Sequence, residues 1–136
     1  MEQMREPITS IGHGPVVAVG AACTLREAAR LMRSEGIGAL GVRGENGLVA
    51  IFSERDLLDA LATGADPDQA TVGEHLSMTM IAARPHDTLL DVALLMLDDG
   101  IRHVPVVDDF GRDQAMVSLR DLLRPMLLQA MTHAPG

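Results

Sequence analysis

"TLREAARLMRSEGIGALGV" occupies residues 24–42, and "TLLDVALLMLDDGIRHVPV" occupies residues 88–106. The two align without a gap at an offset of 64 residues. Thr24, Leu25, Ala29, Leu31, Met32, Gly36, Ile37 and Val42 recur as Thr88, Leu89, Ala93, Leu95, Met96, Gly100, Ile101 and Val106. Further on, "AIFSERDLL" (50–58) matches "AMVSLRDLL" (115–123) at an offset of 65, so one residue has been added in the intervening turn. Upstream, "MREPIT" (4–9) and "VGEHLS" (72–77) form a short lead-in to each copy. Self-similarity at a fixed offset means that one supersecondary unit has been used twice.

Each copy reads as strand–helix–strand–strand–helix. Thr24 with Glu27, and Thr88 with Asp91, have the Ser/Thr-x-x-acid spacing of a capping box. Apolar residues follow at helical spacing, Leu25, Ala28, Ala29, Leu31 and Met32 in one copy and Leu89, Val92, Ala93, Leu95 and Met96 in the other. Gly36 and Gly100 are placed to end these helices in the left-handed conformation. A strand follows, "ALGV" (39–42) or "HVPVV" (103–107). The turns "RGENG" (43–47) and "DDFGRD" (108–113) carry Gly and Asx chemistry. Then comes a second strand, "LVAIF" (48–52) or "AMV" (115–117), and a second helix opened by Ser53 or Ser118. A short strand is expected ahead of each first helix, "PVVAV" (15–19) or "MTMIAA" (78–83). The division that results is repeat 1 over 4–64, a polar linker over 65–71, repeat 2 over 72–130 and a flexible tail over 131–136. A unit of this size buries little sheet surface alone. The expected fold is therefore mixed α/β: two β-α-β-β-α repeats packed sheet to sheet with pseudo-twofold symmetry.

Composition narrows the function. The 136 residues are 47 % apolar, enough for a core, and carry a net charge of −8. That charge disfavours nonspecific binding to nucleic acid or an anionic membrane, so any anion must be held by a local group of donors. Only Phe52 and Phe110 are aromatic, which removes a base-stacking platform. Cys23 is the single cysteine, so no internal disulfide forms and a reducing, cytoplasmic setting is expected. Cys23 precedes a helix cap, where a thiol gains some reactivity, although a buried inert thiol fits as well. Met1 to Thr9 does not resemble a signal peptide, and no apolar run reaches the ~20 residues of a membrane span. His13, His75, His86, His103 and His133 lack metal-ligand spacing, and the nine methionines suit core filling. No metal or cofactor is expected.

The repeat order, with "GIRHVPVVD" (100–108) and the closing "AIFSERDLL" and "AMVSLRDLL", resembles a tandem pair of cystathionine-beta-synthase (CBS) domains. Such a pair is called a Bateman module, here of the stand-alone bacterial type. The resemblance covers roughly residues 4 to 130. It implies a regulatory fold whose clefts, between paired repeats, hold adenosine compounds such as AMP, ADP, ATP or S-adenosylmethionine. The family's cleft motif is Gly-h-x-Ser/Thr-x-x-Asp, in which the hydroxyl meets phosphate and the Asp meets the ribose. By position these are Ser53 and Asp56, and Ser118 and Asp121. Both copies depart from the motif at its Gly, which is Ala50 or Ala115, where a methyl group would crowd a ligand. Basic residues before the second strand contact phosphate in nucleotide-sensing relatives, and Arg102 and His103 stand there. The first repeat has Gly38 and Ala39 instead, so the two sites are not equivalent. The family also implies a homodimer and an effector partner outside the chain.

Residue chemistry agrees with that implication. A helix N-terminus leaves backbone N–H groups unpaired and favours an anion. A carboxylate accepts two hydrogen bonds from a ribose diol. Arg is a permanently charged planar donor for phosphate, and His gains charge beside one. Apolar strand residues Val17, Ile81 and Val104 are the expected base contacts. Arg55 and Arg120 repeat in the first turn of a helix, against the dipole, which suits an anion or a salt bridge. Three readings compete. The first is a nucleotide-sensing module. The second is a ligand-free dimerising adaptor whose clefts are filled by its own side chains, which Ala50, Ala115 and the net negative charge favour; Ser53–Asp56 and Ser118–Asp121 also read as helix caps that need no ligand. The third, a hydrolase using His103 or Glu54 as base, lacks an assembled catalytic set. No enzyme is expected.

Overall fold

Thr24 and Thr88 do cap the helices that the spacing assigns to them. The computed structural model describes residues 2–12, 14–76 and 80–132. Its strands and helices run β1 (Ala18–Gly20), α1 (Leu25–Glu35), β2 (Ala39–Gly44), β3 (Gly47–Ser53), α2 (Glu54–Ala62), α3 (Leu89–Asp99), β4 (His103–Val107), β5 (Asp113–Ser118) and α4 (Leu119–Thr132). The architecture is mixed α/β, with four α-helices and two small sheets among the described residues. The chain divides into two compact units, Val16–Met80 and Met1–Pro15 with Ile81–Gly136.

In the continuous unit, β1 runs parallel to β2 and β2 antiparallel to β3, in the order β1-β2-β3. The Thr24 hydroxyl accepts from the Glu27 N–H at 3.2 Å, and Gly36 ends α1 at φ 66°. Leu25, Ala28 and Met32 form the buried stripe of α1 and meet Leu40, Val42 and Phe52 in one core. In the other unit, the Thr88–Asp91 capping box is complete and Gly100 ends α3 at φ 64°. Leu89, Val92 and Met96 pack there on Val104, Val106, Val117 and Leu122. Both glycines sit where an L side chain is strained, as helix C-caps require.

The strand expected over 15–19 begins later, at Ala18. The strand expected over 78–83 is reduced further. Met78 and Thr79 lie outside the described residues, and in 80–83 only Ala83 pairs, in a single parallel bridge with Val106. Pro105 explains the loss. In the first unit the Gly41 N–H donates to the Val17 carbonyl at 2.9 Å. Pro105 stands at the equivalent place and has no N–H to offer Ile81. What remains is Ala83 N–H to the Pro105 carbonyl and Val107 N–H to the Ala83 carbonyl, both at 2.9 Å.

Residues 65–71 are tied to the start of α1, with Arg26 N–H donating to the Pro67 carbonyl at 3.0 Å and Leu25 N–H to that of Ala70 at 3.1 Å. Helix α4 continues through Thr132, two residues into the expected tail; residues 133–136 lie outside the described residues. It also runs through Pro125, which has no N–H to give the Asp121 carbonyl.

The lead-ins are exchanged. "MREPIT" precedes repeat 1, yet Met4 and Ile8 are buried in the core built by α3, β4, β5 and α4. Val72 of the second lead-in is buried in the core built by α1, β2 and β3. The backbone pairing is the same in both. Pro7 bridges Thr88 and Thr71 bridges Thr24. Ile8 N–H donates to the Asp87 carbonyl at 2.7 Å, and Val72 N–H to that of Cys23 at 2.8 Å.

Candidate functional site

The second unit gathers most of the candidate residues at one end of its hairpin. His103 and Ser118 are paired across β4 and β5. The Arg102 carbonyl accepts from the Leu119 N–H at 2.8 Å, pinning the strand entrance to the first residue of α4. Arg102, His103, Ser118, Arg120 and Asp121 therefore share one locality. The first unit repeats the frame: Ala39 pairs with Ser53, and Glu54 N–H donates to the Gly38 carbonyl at 2.9 Å. There Gly38 and Ala39 supply no charge.

Both Ser-x-x-Asp pairs are working helix caps. Ser118 N–H donates to Asp121 Oδ2 at 2.8 Å, and Asp121 N–H to Ser118 Oγ at 3.1 Å. Ser53 N–H donates to Asp56 Oδ2 at 2.8 Å, and Asp56 N–H to Ser53 Oγ at 3.3 Å. The N–H groups of Leu119 and Asp121, like those of Glu54 and Asp56, are thus spent within the protein. Fewer helix N-terminal donors face an anion than an open N-terminus supplies. Positive charge has to come from side chains. Arg102 and Arg120 are exposed, and among the described residues their guanidinium groups make no hydrogen bond or ion pair. The salt bridge weighed for Arg120, and for Arg55 in the first unit, is not formed there. His103 is half-buried.

The two carboxylates differ. Asp56 is 8 % exposed, and Asp121 is more open. Asp121 Oδ2 serves the cap, while its Oδ1 makes no hydrogen bond among the described residues.

Of the expected base contacts, Val17 and Ile81 are half-buried at equivalent positions of the two units. Val104 requires correction. It is 0 % exposed and belongs to the core with Leu89 and Val92, because β4 turns it to the helix side. The half-exposed face of β5 carries Met116 beside Ser118 instead, as Ile51 stands beside Ser53 on β3. Period-two alternation counted back from the serine identifies both.

The Ala50 and Ala115 methyl groups are buried. Ala50 is a core residue, and the Ala115 methyl fills space left by Gly12. They do not stand on the serine-bearing face of their strands. Burial pushes the Cys23 thiol up, with the Glu27 carboxylate adding to it, which disfavours the thiolate. No group of three metal-ligating side chains occurs among the described residues. No described helix is long and apolar enough to cross a membrane.

This pairing of a strand entrance with a capped helix, made twice in one chain, is matched by the sequence pattern of the CBS domain over residues 8–63 and 72–127. The chain belongs to the CBS domain family. An uncharacterized 17.7 kDa protein from Acidianus ambivalens is 30 % identical over 91 % of this chain and 75 % of its own length. An uncharacterized Methanopyrus kandleri protein is 32 % identical over 74 % of this chain, which spans only 53 % of that relative. Among solved structures, the CBS domain pair of protein MJ0100 superposes with a TM-score of 0.83 at 26 % identity, covering 91 % of this chain and 98 % of that one. That pair was solved in complex with 5′-methylthioadenosine and S-adenosyl-L-methionine.

Proposed function

We propose that this CBS protein is a regulatory module, without catalytic activity of its own, that binds an adenosine-type small molecule at the second repeat. The observation that carries the reading is the backbone arrangement that sets Arg102 and Arg120, whose guanidinium groups have no partner among the described residues, beside His103 and Ser118 at the start of α4. In an acidic chain, such a group is a local anion site. Arg102, Arg120 and His103 hold phosphate, Asp121 Oδ1 takes a ribose hydroxyl, and Ile81 and Met116 offer apolar contact to the base. Ser53, Asp56, Val17 and Ile51 form the counterpart in the first repeat, which keeps Arg55 but has Gly38 and Ala39 in place of Arg102 and His103. The phosphorylated ligands AMP, ADP and ATP suit the second repeat, and S-adenosylmethionine, which carries no phosphate, suits the first. The output runs through a partner protein or through self-association.

Thermal shift read by an external dye tests this, since the chain has no Trp or Tyr. A ligand at 100 times its dissociation constant adds about 2.7 kcal/mol of stability. A saturable shift with AMP, ADP or ATP, abolished by Arg102→Ala with Arg120→Ala, is the expected result. No shift with any of these or with S-adenosylmethionine leaves the ligand-free adaptor. That second reading is favoured by one observation, the completed caps that already use Asp56 and Asp121.

A further inference from the structure

The turns that join the paired strands of the two repeats are built differently. In the second repeat Asp108 holds the β4–β5 turn. Its Oδ1 accepts from the Phe110 and Arg112 backbone N–H groups, both at 2.9 Å, and its Oδ2 from Arg112 Nε at 3.1 Å. At the 64-residue offset Gly44 stands in place of Asp108, so the β2–β3 turn lacks that anchor. Its two loop residues, Glu45 and Asn46, are exposed, and the Asn46 side chain makes no hydrogen bond among the described residues. Asn46 is the only asparagine of the chain, and Gly47 follows it. Gly47 has φ 119°, a conformation that L side chains rarely adopt, so the turn itself calls for the glycine.

We propose that Asn46–Gly47 is a site of spontaneous covalent modification, at which the asparagine of the folded chain is converted to aspartate and isoaspartate. The attacking group is the Gly47 backbone nitrogen, which has no Cβ beside it to hinder the approach. It forms a bond to Asn46 Cγ while the Cγ–Nδ2 bond breaks. The side-chain nitrogen leaves as ammonia, carrying the proton given up by the Gly47 N–H. Water then opens the five-membered imide at either carbonyl. Opening at Cγ gives aspartate, and opening at the backbone carbonyl gives isoaspartate, whose chain runs on through Cγ. Nothing is oxidised or reduced. The fold permits the approach because Gly44 and Gly47 are the last pair of the β2–β3 ladder, and a register shift between Val42 and Arg43 leaves only the Arg43–Leu48 and Gly44–Gly47 pairs beyond it. So short a ladder end opens at little cost. Either product adds a negative charge next to Glu45 on a chain already at −8. The reaction involves no ligand, so it stands or falls separately from the nucleotide reading.

Incubation of the full folded chain in mildly alkaline buffer tests it, with the intact mass followed over time. The expected gain is one mass unit per chain, as an amide NH2 gives way to OH. In a tryptic digest the gain maps to residues 44–55, the fragment between Arg43 and Arg55, which elutes as two new peptides of equal mass. The same chain in guanidinium chloride sets the unhindered rate. The folded chain is expected within about tenfold of it, as an easily opened turn allows. Asn46→Gln abolishes the gain, and circular dichroism shows that this exposed substitution keeps the fold. A chain that stays unconverted, or that falls below the tenfold limit when folded, overturns the proposal. So does a gain that maps outside residues 44–55, or one that survives in Asn46→Gln.

Discussion

Gly12 and Ala115 share one space: a Cβ placed on Gly12 would stand 3.0 Å from the Ala115 methyl and 3.8 Å from Val117 Cγ2. A methyl at residue 115 is therefore matched by its absence at residue 12. Gly12→Ala overpacks the contact, a change that costs about 1–3 kcal/mol where neighbours cannot yield. Ala115→Gly leaves a small void. Chemical denaturation of the four chains of the cycle should show the double variant more stable than the sum of the single losses. Additive losses would mean that the two residues do not share the space.

Asp121 separates capping from recognition. Its Oδ2 accepts the Ser118 N–H, so Asp121→Ala costs about 1 kcal/mol of stability. Asp121→Asn keeps one acceptor for the cap and loses the charge. The nucleotide reading expects both variants to bind at least about tenfold more weakly, which is ~1.4 kcal/mol. Calorimetric titration with AMP at matched stability decides. Unchanged affinity in Asp121→Asn would leave the residue as a cap alone.

Acid should unfold the protein through a few named carboxylates. The Arg112 backbone N–H, with that of Phe110, holds Asp108 below the usual carboxylate range. The Thr88 N–H does the same for Asp91, and the Thr71 hydroxyl for Glu74. A carboxylate whose folded pKa is depressed stabilises the fold fully above its unfolded value, and that stability is lost as pH falls through the folded one. Melting temperature should thus stay level down to about pH 5 and fall below about pH 4. In Asp108→Asn the fall should be shallower. An unchanged slope would remove Asp108 from the acid-sensitive set.

What the sequence made legible was whatever chemistry acts within a few residues. Thr24, Ser53, Thr88 and Ser118 open helices, and Gly36 and Gly100 close α1 and α3, because capping is decided by local donors and φ. The expectation that Arg102 and Ser118 belong together came from the family resemblance, and the Leu119 N–H to Arg102 carbonyl bond does hold their backbones near each other. Long-range pairings were not legible. Val104 was misplaced because His103 and Pro105 say nothing of which face β4 turns to its helices. The lost strand before Ala83 depends on Pro105, twenty-two residues away in the chain. The match between "MREPIT" and "VGEHLS" sets Met4 against Val72, whereas the bridges make Pro7 and Ile8 equivalent to Thr71 and Val72, and the exchange is revealed only by the cores around Ile8 and Val72.

That exchange orders events on the ribosome. The unit Val16–Met80 is one continuous stretch that carries its own Val72, so it can close as soon as residue 80 emerges. Met4 and Ile8 are made before that unit, yet their core needs Leu89, Val106 and Val117. Met4 and Ile8 must wait, uncovered, while a finished unit folds behind them. Chains grow at about 5–20 residues per second, so this exposure lasts seconds. The exchange has thus left residues made ahead of the first unit to find shelter only after it.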